Sequence, residues 1–509
     1  MEVSGKENLG FWGTVDLSAP LGALGTLLLD PNNITIVDAA PAADDGEITD
    51  PADNEILFAD GGAADFTISN DLLDATTADV TLQANIDILV NAEVNMTPSL
   101  TLQAGQDITF NSAVTTGGSL TAQADRDIFV NANLTTTGDL ILNADRDASL
   151  DGSINLAGAA LSSNGGNIVL GGGSDPTAEY AYGRASGETR GIWIDGTSSL
   201  DSAGGNIFLH GASGSNGAGG AFYGISLDGG IDSGTGTVLI DGISQGQGSD
   251  NAQGFEMSGS ITSANTTASA ISITGEVIPL AANTFTAMGV NIAGSITTTA
   301  GGSISVTGTG AATAANQFSD GVLVQGAANV DSGSGDITID GTSTSRSGVN
   351  FTGGLVTGNG TTTITGDTSA TGTSDALSVA GVRFSGAGTR LSTATGDIVV
   401  DGNTTGGDYS QGIRVDGATV ETTGSGTVTF NGTHGSPSTL STWAMGLVNG
   451  GIVRSTAVGG GDLTFNTNSA DYGLVLDASQ ITSNGGAIAI NDQSIRGVYL
   501  NAASSVDAG

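Results

Sequence analysis

Apolar and polar positions alternate with a period of two through most of the chain. Between Val80 and Asp151 the alternation is written four times. The segments VTLQANIDILVN, LTLQAGQDITFN, LTAQADRDIFVN and LILNADRDASLD start at Val80, Leu100, Leu120 and Leu140, a constant step of 20 residues. In the second copy Leu100, Leu102 and Ala104 share one face and Thr101 and Gln103 the other, with Ile108, Phe110 and Val114 following. A period of two marks a half-buried strand. Three short strands and three polar corners in 20 residues describe one coil of a parallel β-helix, a solenoid whose coils bury their apolar faces by stacking. A hairpin array would need two-residue Asn-Gly or Asp-Gly turns between longer strands, and the repeat does not supply them. The step puts Asp87, Asp107, Asp127 and Asp147 in register, then Asn91, Asn111, Asn131 and Asp151, then Val94, Val114, Leu134 and Ile154. Corner side chains one coil apart are expected to hydrogen-bond along the axis, as amide ladders do in fibrils.

From Gly166 the coils lengthen and two signatures alternate. One is Gly-x-h-x-h (h, apolar), as in GTVLIDG (236–242), GDITIDG (335–341) and GTVTFNG (426–432). The other is Gly-h-x-h-x-Gly/Ala, beginning at Gly191, Gly224, Gly254, Gly289, Gly321, Gly348, Gly381, Gly412, Gly446, Gly473 and Gly497. A short h-x-Ser/Thr strand lies between them. These are eleven further coils of 24 to 35 residues, and what grows is the loop between the first signature and the second. The expected architecture is all-β, about 16 turns of three-stranded coils, roughly 75 Å long at about 4.8 Å per coil.

Composition removes several alternatives. Charged residues are 12%, against about 25% in ordinary globular chains. Glycine is abundant at 83 residues. Such a bias also fits disorder, but the alternating pairs recur to the end of the chain. The net charge is −41, with Lys6 the one lysine. That excludes nucleic-acid binding by clustered cations and repels anionic membranes. There is no cysteine. No stretch approaches 18 apolar residues, so no transmembrane helix and no membrane insertion are expected. Met1–Gly10 lack the basic start and apolar core of a signal peptide. Residues 38–60 carry eight acids. Their spacing fits no EF-hand, and Pro41 and Pro51 are expected to break any regular element, so this stretch reads as an acidic loop.

Candidate chemistry is sparse. His210 ends a strand in NIFLHG, and His434, in GTHGSPS, reads as a surface loop residue beside Ser436. Neither is placed beside a Ser and an Asp, so no Ser-His-Asp site is expected. Asp125-Arg126-Asp127 and Asp145-Arg146-Asp147 read as surface charge pairing. Carbohydrate-active β-helix enzymes need acids on one face, often near Arg or Lys. Arg383 and Arg414 do stack in neighbouring coils, with Asp416 near them. Their outward column, running from Trp193 through Glu256, Asn291, Arg383, Arg414 and Val448 to Tyr499, does not concentrate acids. No catalytic residue, cofactor or metal is therefore assigned. The outward column of the first signature is mixed, which excludes the flat Thr array of an ice-binding surface. The growing loop holds Tyr180, Tyr182, Tyr223, Tyr409, Tyr472, Trp443 and Phe318. These aromatics, with Arg383 and Arg414, are the candidate ligand-binding residues, since loops on rigid scaffolds carry function. The competing reading is that the rings cover the coil edge.

Val3-Ser4-Gly5-Lys6 and the run Gly25 to Ile36 resemble the closing part of the secretion module of filamentous-haemagglutinin-like exoproteins, the secreted partners of two-partner secretion systems. The 20-residue coils are similar to that family's central repeats. The resemblance implies a right-handed helix, in line with the crossover rule. It divides the chain into the end of the secretion module (1–37), an acidic linker (38–64), short coils (65–165) and long coils (166–509). It places the first residues inside the module, so the chain reads as an internal fragment. It implies an outer-membrane transporter as partner. It also implies a secreted or cell-surface, adhesin-like shaft presenting loops to host or neighbour cells or glycans. A polysaccharide lyase or hydrolase and a purely structural fibre are the alternatives.

Overall fold

The computed structural model describes residues 31–49, 55–56, 65–184, 189–214, 221–245, 251–278, 286–311, 319–372, 379–435, 442–501 and 503–509. Most of the segment resembling a secretion module, and Phe318, lie outside them. The chain forms two compact units, one of residues 1–184 with 191–211 and one of 185–190 with 212–509. In each unit successive strands join three parallel sheets in rotation. Each is a three-stranded parallel β-helix.

In the first unit, Val80–Ala84 lies in the first sheet, Ile88–Val90 in the second and Val94–Met96 in the third. Leu100 pairs with Val80 and Leu120, Ile108 with Ile88 and Ile128, and Val114 with Val94 and Leu134. Leu100, Leu102, Ala104, Ile108, Phe110 and Val114 fill the core. Register brings identical corners together, and they bond along the axis. The Asp107 N–H donates to Asp87 Oδ1 at 3.1 Å, and the Asp127 N–H to Asp107 Oδ1 at 3.1 Å. Asn111 and Asn131 donate their side-chain amides to Asn91 and Asn111 at 2.9 and 3.0 Å. Arg126 Nε donates to Asp107 Oδ1 and Arg146 Nε to Asp125 Oδ1, both at 2.6 Å, so these charges pair across coils.

The fourth copy leaves the expected register. Leu140–Ala144 still pairs with Leu120–Ala124. Asp145 then turns with φ 52°, and its Oδ1 accepts from Ser149 Oγ and the Leu150 and Asp151 amides. Ile154 pairs with Ile128 rather than Leu134, and Leu161 sits beside Leu134. Ser153, not Asp147, donates to Asp127, 26 residues on instead of 20. The core explains the shift. Ile154 and Leu156 are fully buried, whereas Ala148 and Leu150 would underfill the site, and Leu150 is 57% exposed.

The acidic stretch also departs from expectation. It contains a helix, Asp45–Thr49, and a strand, Glu55–Ile56, that pairs with Thr81 and Leu82. Pro41 and Pro51 flank these elements rather than interrupt them. Asp44 Oδ2 accepts the Thr67 N–H at 2.7 Å and Asp45 Oδ1 the Ser69 N–H at 2.8 Å, so these acids satisfy backbone donors. Ile34–Val37 lies between Phe66–Ser69 and Ile88–Val90 in the second sheet. The helix Asn70–Ala75, capped by Ser69 Oγ, packs on Val94–Met96, the end strand of the third sheet. Asp74 Oδ1 accepts the Asn95 N–H there at 2.6 Å. A capped helix thus covers an otherwise open edge.

In the second unit the segment expected to be a growing loop is largely strand. The first-sheet strand Val238–Ser244 and the second-sheet strand Asn251–Met257 both run past a point of backbone contact. A Cβ on Gly242 would lie 2.1 Å from the Gly254 carbonyl oxygen, and the pairs Gly275–Gly289, Gly308–Gly321 and Gly366–Gly381 repeat the approach. Only glycine lets two backbones meet this closely. The contact closes the main core on one side. Beyond it the strands form a flange with its own small core of Phe222, Ala252, Val277 and Ala287. In the main core, rings stack along the axis, Phe351 on Phe384 at 4.9 Å and Phe430 on Phe465 at 5.6 Å. In the strand Trp443–Val448, Trp443 pairs with Gln411 and Gly446 with Arg414. Ala444 therefore stands in the glycine row, and the outward column passes through Gly446. Val448 belongs beside Asp416.

Candidate ligand-binding face

The outer face of the second sheet in the second unit collects the polar and aromatic side chains. Parallel pairing puts Ser226, Glu256, Asn291, Leu323, Asn350, Arg383, Arg414, Gly446, Val475 and Tyr499 in one row. Neighbours in such a row are about 4.8 Å apart.

An open cleft of about 490 Å³ lies over the Asn291 to Asn350 part of this row, lined also by Gln253, Asp320, Gln325 and Arg346. Gln325 Nε2 donates to Asn291 Oδ1 at 2.8 Å. Asp320 is buried. Its Oδ2 accepts Asn350 Nδ2 at 3.0 Å, its Oδ1 accepts the Ser347 N–H at 3.1 Å, and Arg346 Nε stands 4.0 Å away. Burial raises the Asp320 pKa against the pull of Arg346.

Two arginines follow. Arg414 is nearly buried, and its Nε and Nη2 donate to Asp416 Oδ2 at 3.2 and 3.1 Å. Its Nη1 is buried with no hydrogen-bond partner. The Arg383 side chain is 14% exposed, with Nη2 3.9 Å from the same Asp416 oxygen. Burial, then the charges of Arg414 and Arg346, lower the Arg383 pKa. The other Asp416 oxygen accepts Asn449 Nδ2 at 2.8 Å.

Aromatic rings come next. The Trp443 indole lies on Gly446, where a Cβ would stand 2.5 Å from a ring carbon. Tyr472 pairs with Trp443, and its ring is 5.6 Å from that of Tyr499, with the Arg496 guanidinium 5.2 Å from its centroid. Tyr223 lies in the strand Phe222–Leu227, 5.8 Å below the Arg190 guanidinium. Burial raises its phenol pKa, as it does the Glu256 carboxyl.

Of the aromatics expected on loops, Tyr223, Trp443 and Tyr472 thus fall on second-sheet strands of one unit, which also carries Arg383 and Arg414 on second-sheet strands, where they were expected. Tyr409 precedes the strand Ser410–Asp416 at a corner with φ 55°. Tyr180 and Tyr182 belong to the first unit. Their rings are 6.4 Å apart, and Tyr180 meets His210 edge-on at 5.9 Å. Asp320 and Arg346 escaped the sequence reading because they lie outside the Gly-h-x-h-x-Gly/Ala signature, and Gln325 because it fills the last variable position of that signature rather than the outward column. Asn291, already in the outward column, was a pointer to Gln325.

His434 is not a surface loop residue. It ends the strand Val428–His434 inside the flange, 3% exposed, with Nε2 3.1 Å from Ser410 Oγ. Ser436 lies outside the described residues. Ser410 donates to the Gly407 carbonyl at 2.5 Å, so it accepts from a proton on His434 Nε2. Ser410 is fully buried and its own proton is committed, which leaves no nucleophile here. Among the described residues no group of three or more His, Cys, Asp or Glu could hold a metal, and no helix is long and apolar enough to cross a membrane.

Fold and face together define a three-stranded parallel β-helix with a polar and aromatic strip along one sheet. No protein-family model matches the chain, and no curated protein matches it.

Proposed function

We propose that this chain is a non-enzymatic, adhesin-like β-helical exoprotein, secreted or at a cell surface, that holds a glycan along the outer second-sheet face of residues 212–509. The observation that carries the reading is the outer second-sheet face itself. Amides at Asn291 and Asn350, a guanidinium at Arg383 and rings at Trp443, Tyr472 and Tyr499 stand on its strands, and Gln325 and Arg346, beyond the strand ends, line the cleft over it. Amides and guanidiniums hydrogen-bond hydroxyls, and aromatic faces stack on the C–H faces of sugars. Holding them on paired strands removes most of the ordering cost of binding. The coil spacing of about 4.8 Å is close to the advance per sugar of an extended 1,4-linked polymer, so successive coils can meet successive sugars.

The resemblance of Val3–Lys6 and Gly25–Ile36 to filamentous-haemagglutinin-like exoproteins supports two-partner secretion through an outer-membrane transporter. On this reading the glycan belongs to a host or neighbour cell surface.

The test incubates the protein with neutral and acidic polysaccharides and measures retention and polymer length together. Retention without shortening is expected, with a loss of about tenfold in affinity for Trp443→Ala, as for removal of a stacking anchor worth about 1.4 kcal/mol. Shortening of the polymer would overturn the non-enzymatic reading. Neither effect would leave a structural fibre.

A further inference from the structure

We propose that the cleft over Asn291 and Asn350 is a subsite for about three neutral sugars, which it recognises by the hydrogen-bond donors of their hydroxyls. This rests on the glycan reading and specifies its ligand.

The argument starts from two oxygens. Gln253 Oε1 and Asn350 Oδ1 are buried and have no hydrogen-bond partner. The two residues are 3% and 1% exposed, and both line the cleft. Other acceptors of the lining are taken. Asp320 accepts from Asn350 Nδ2 and the Ser347 N–H, and Asn291 Oδ1 accepts from Gln325 Nε2. A buried acceptor left unmatched costs the empty protein stability.

Packing does not require these amides. Gln253 pairs with Met288 on the next coil, and Asn350 with Leu323 on the coil before it. Methionine and leucine are close in size to glutamine and asparagine, and Met288 and Leu323 line the same cleft. The same place in the neighbouring coil thus holds an apolar side chain. What Gln253 and Asn350 add is an acceptor that no donor of the described residues satisfies.

A neutral sugar supplies what is missing. Its hydroxyls donate to the amide oxygens, and its C–H face covers Met288 and Leu323. The terminal amide of Gln253 turns about a soft torsion, so its oxygen can meet an arriving hydroxyl. From the Gln253 coil to the Asn350 coil there are three steps, by way of Asn291 and Leu323. That is about 14 Å at about 4.8 Å per coil, the span of three sugars in an extended chain. A carboxylate in place of a hydroxymethyl group removes a donor. It also brings negative charge to a cleft lined by Asp320, in a chain of net charge −41. Arg346, the cation of the lining, already stands 4.0 Å from Asp320.

The test measures binding, at 0.15 M salt, of 1,4-linked hexasaccharides of glucose, mannose and galactose, and of each with its hydroxymethyl groups oxidised to carboxylates. The best neutral ligand is expected to bind at least tenfold more tightly than its oxidised form. Gln253→Met should weaken that ligand at least fivefold while leaving the urea midpoint unchanged or higher, because it removes an unmatched acceptor. A residue serving only the fold would not lose binding without losing stability. A crystal structure of the wild-type complex should place sugar hydroxyls within hydrogen-bond distance of Gln253 Oε1 and Asn350 Oδ1, and it reads the site even where the variant fails to fold. Equal or tighter binding of the oxidised forms, full affinity in Gln253→Met, or a ligand seated elsewhere on the strip would overturn the inference and leave the glycan reading standing. So would binding of polysaccharides but of no hexasaccharide. Failure to bind any of them would overturn the glycan reading, and this inference with it.

Discussion

Glu421 lies on the outward side of the strand Thr419–Thr422 yet is fully buried, held under two arginines from neighbouring coils. Arg390 Nε and Arg454 Nε each donate to it at 2.6 Å. Burial raises its pKa, but the two guanidiniums outweigh it and hold the carboxylate below its ordinary range. A depressed carboxylate stabilises the fold above its unfolded pKa and loses that contribution as pH falls through the folded value. Glu421→Gln should therefore cost about 1–3 kcal/mol at pH 7 and less at pH 3, read from urea midpoints at the two pH values. Asp145 has the opposite sign. Burial raises its pKa to about 6, so its charge weighs against the fold increasingly as pH rises from about 4 through 6. Asp145→Asn keeps the acceptor for Ser149, Leu150 and Asp151. It should raise stability at pH 7 by about 1 kcal/mol and have little effect at pH 4. The alternation of apolar residues revealed neither site, because both depend on which coils meet.

At the scale of the element, the glycine rows decide how far each coil extends. The Gly366 Cβ position is 2.0 Å from the Gly381 carbonyl oxygen. Gly366→Ala should destabilise the second unit by about 1–3 kcal/mol, as overpacking does, seen as a lower midpoint in denaturant. Legibility differed by element. Strands with paired β-branched or aromatic inward residues, such as Ile108–Phe110, were legible because alternation and burial coincide. The segment after Asp145 was not. Its 20-residue echo is real in sequence, but Ile154 and Leu156 compete for the core and win. The helix Asn70–Ala75 was missed for a related reason. Its job is to cover Val94–Met96, and a covering element is defined by what it covers. The flange strands looked like loops because Ser, Thr and Gly dominate them, yet their backbones pair with the neighbouring coils.

At the scale of the molecule, composition sets the response to salt. With 12% charged residues and a net charge of −41, most exposed charges have no opposite partner, and their mutual repulsion opposes the compact state. Raising salt from 0.1 to 0.5 M shortens the screening range and should raise the melting temperature by a few degrees.

The sequence by itself determined the solenoid, the rotation of three short strands through each coil and the row that includes Arg383 and Arg414. A period of two combined with a repeat leaves few other ways to bury the apolar face. Tertiary structure alone decided the rest. It showed where the fourth copy slips, which glycines bring two backbones together, that His434 is buried against Ser410, and that Asp320, Arg346 and Gln325 line the cleft over the row. Each of these is set by contacts between coils some 20 to 35 residues apart, and the free energy of those contacts is not written in any one repeat.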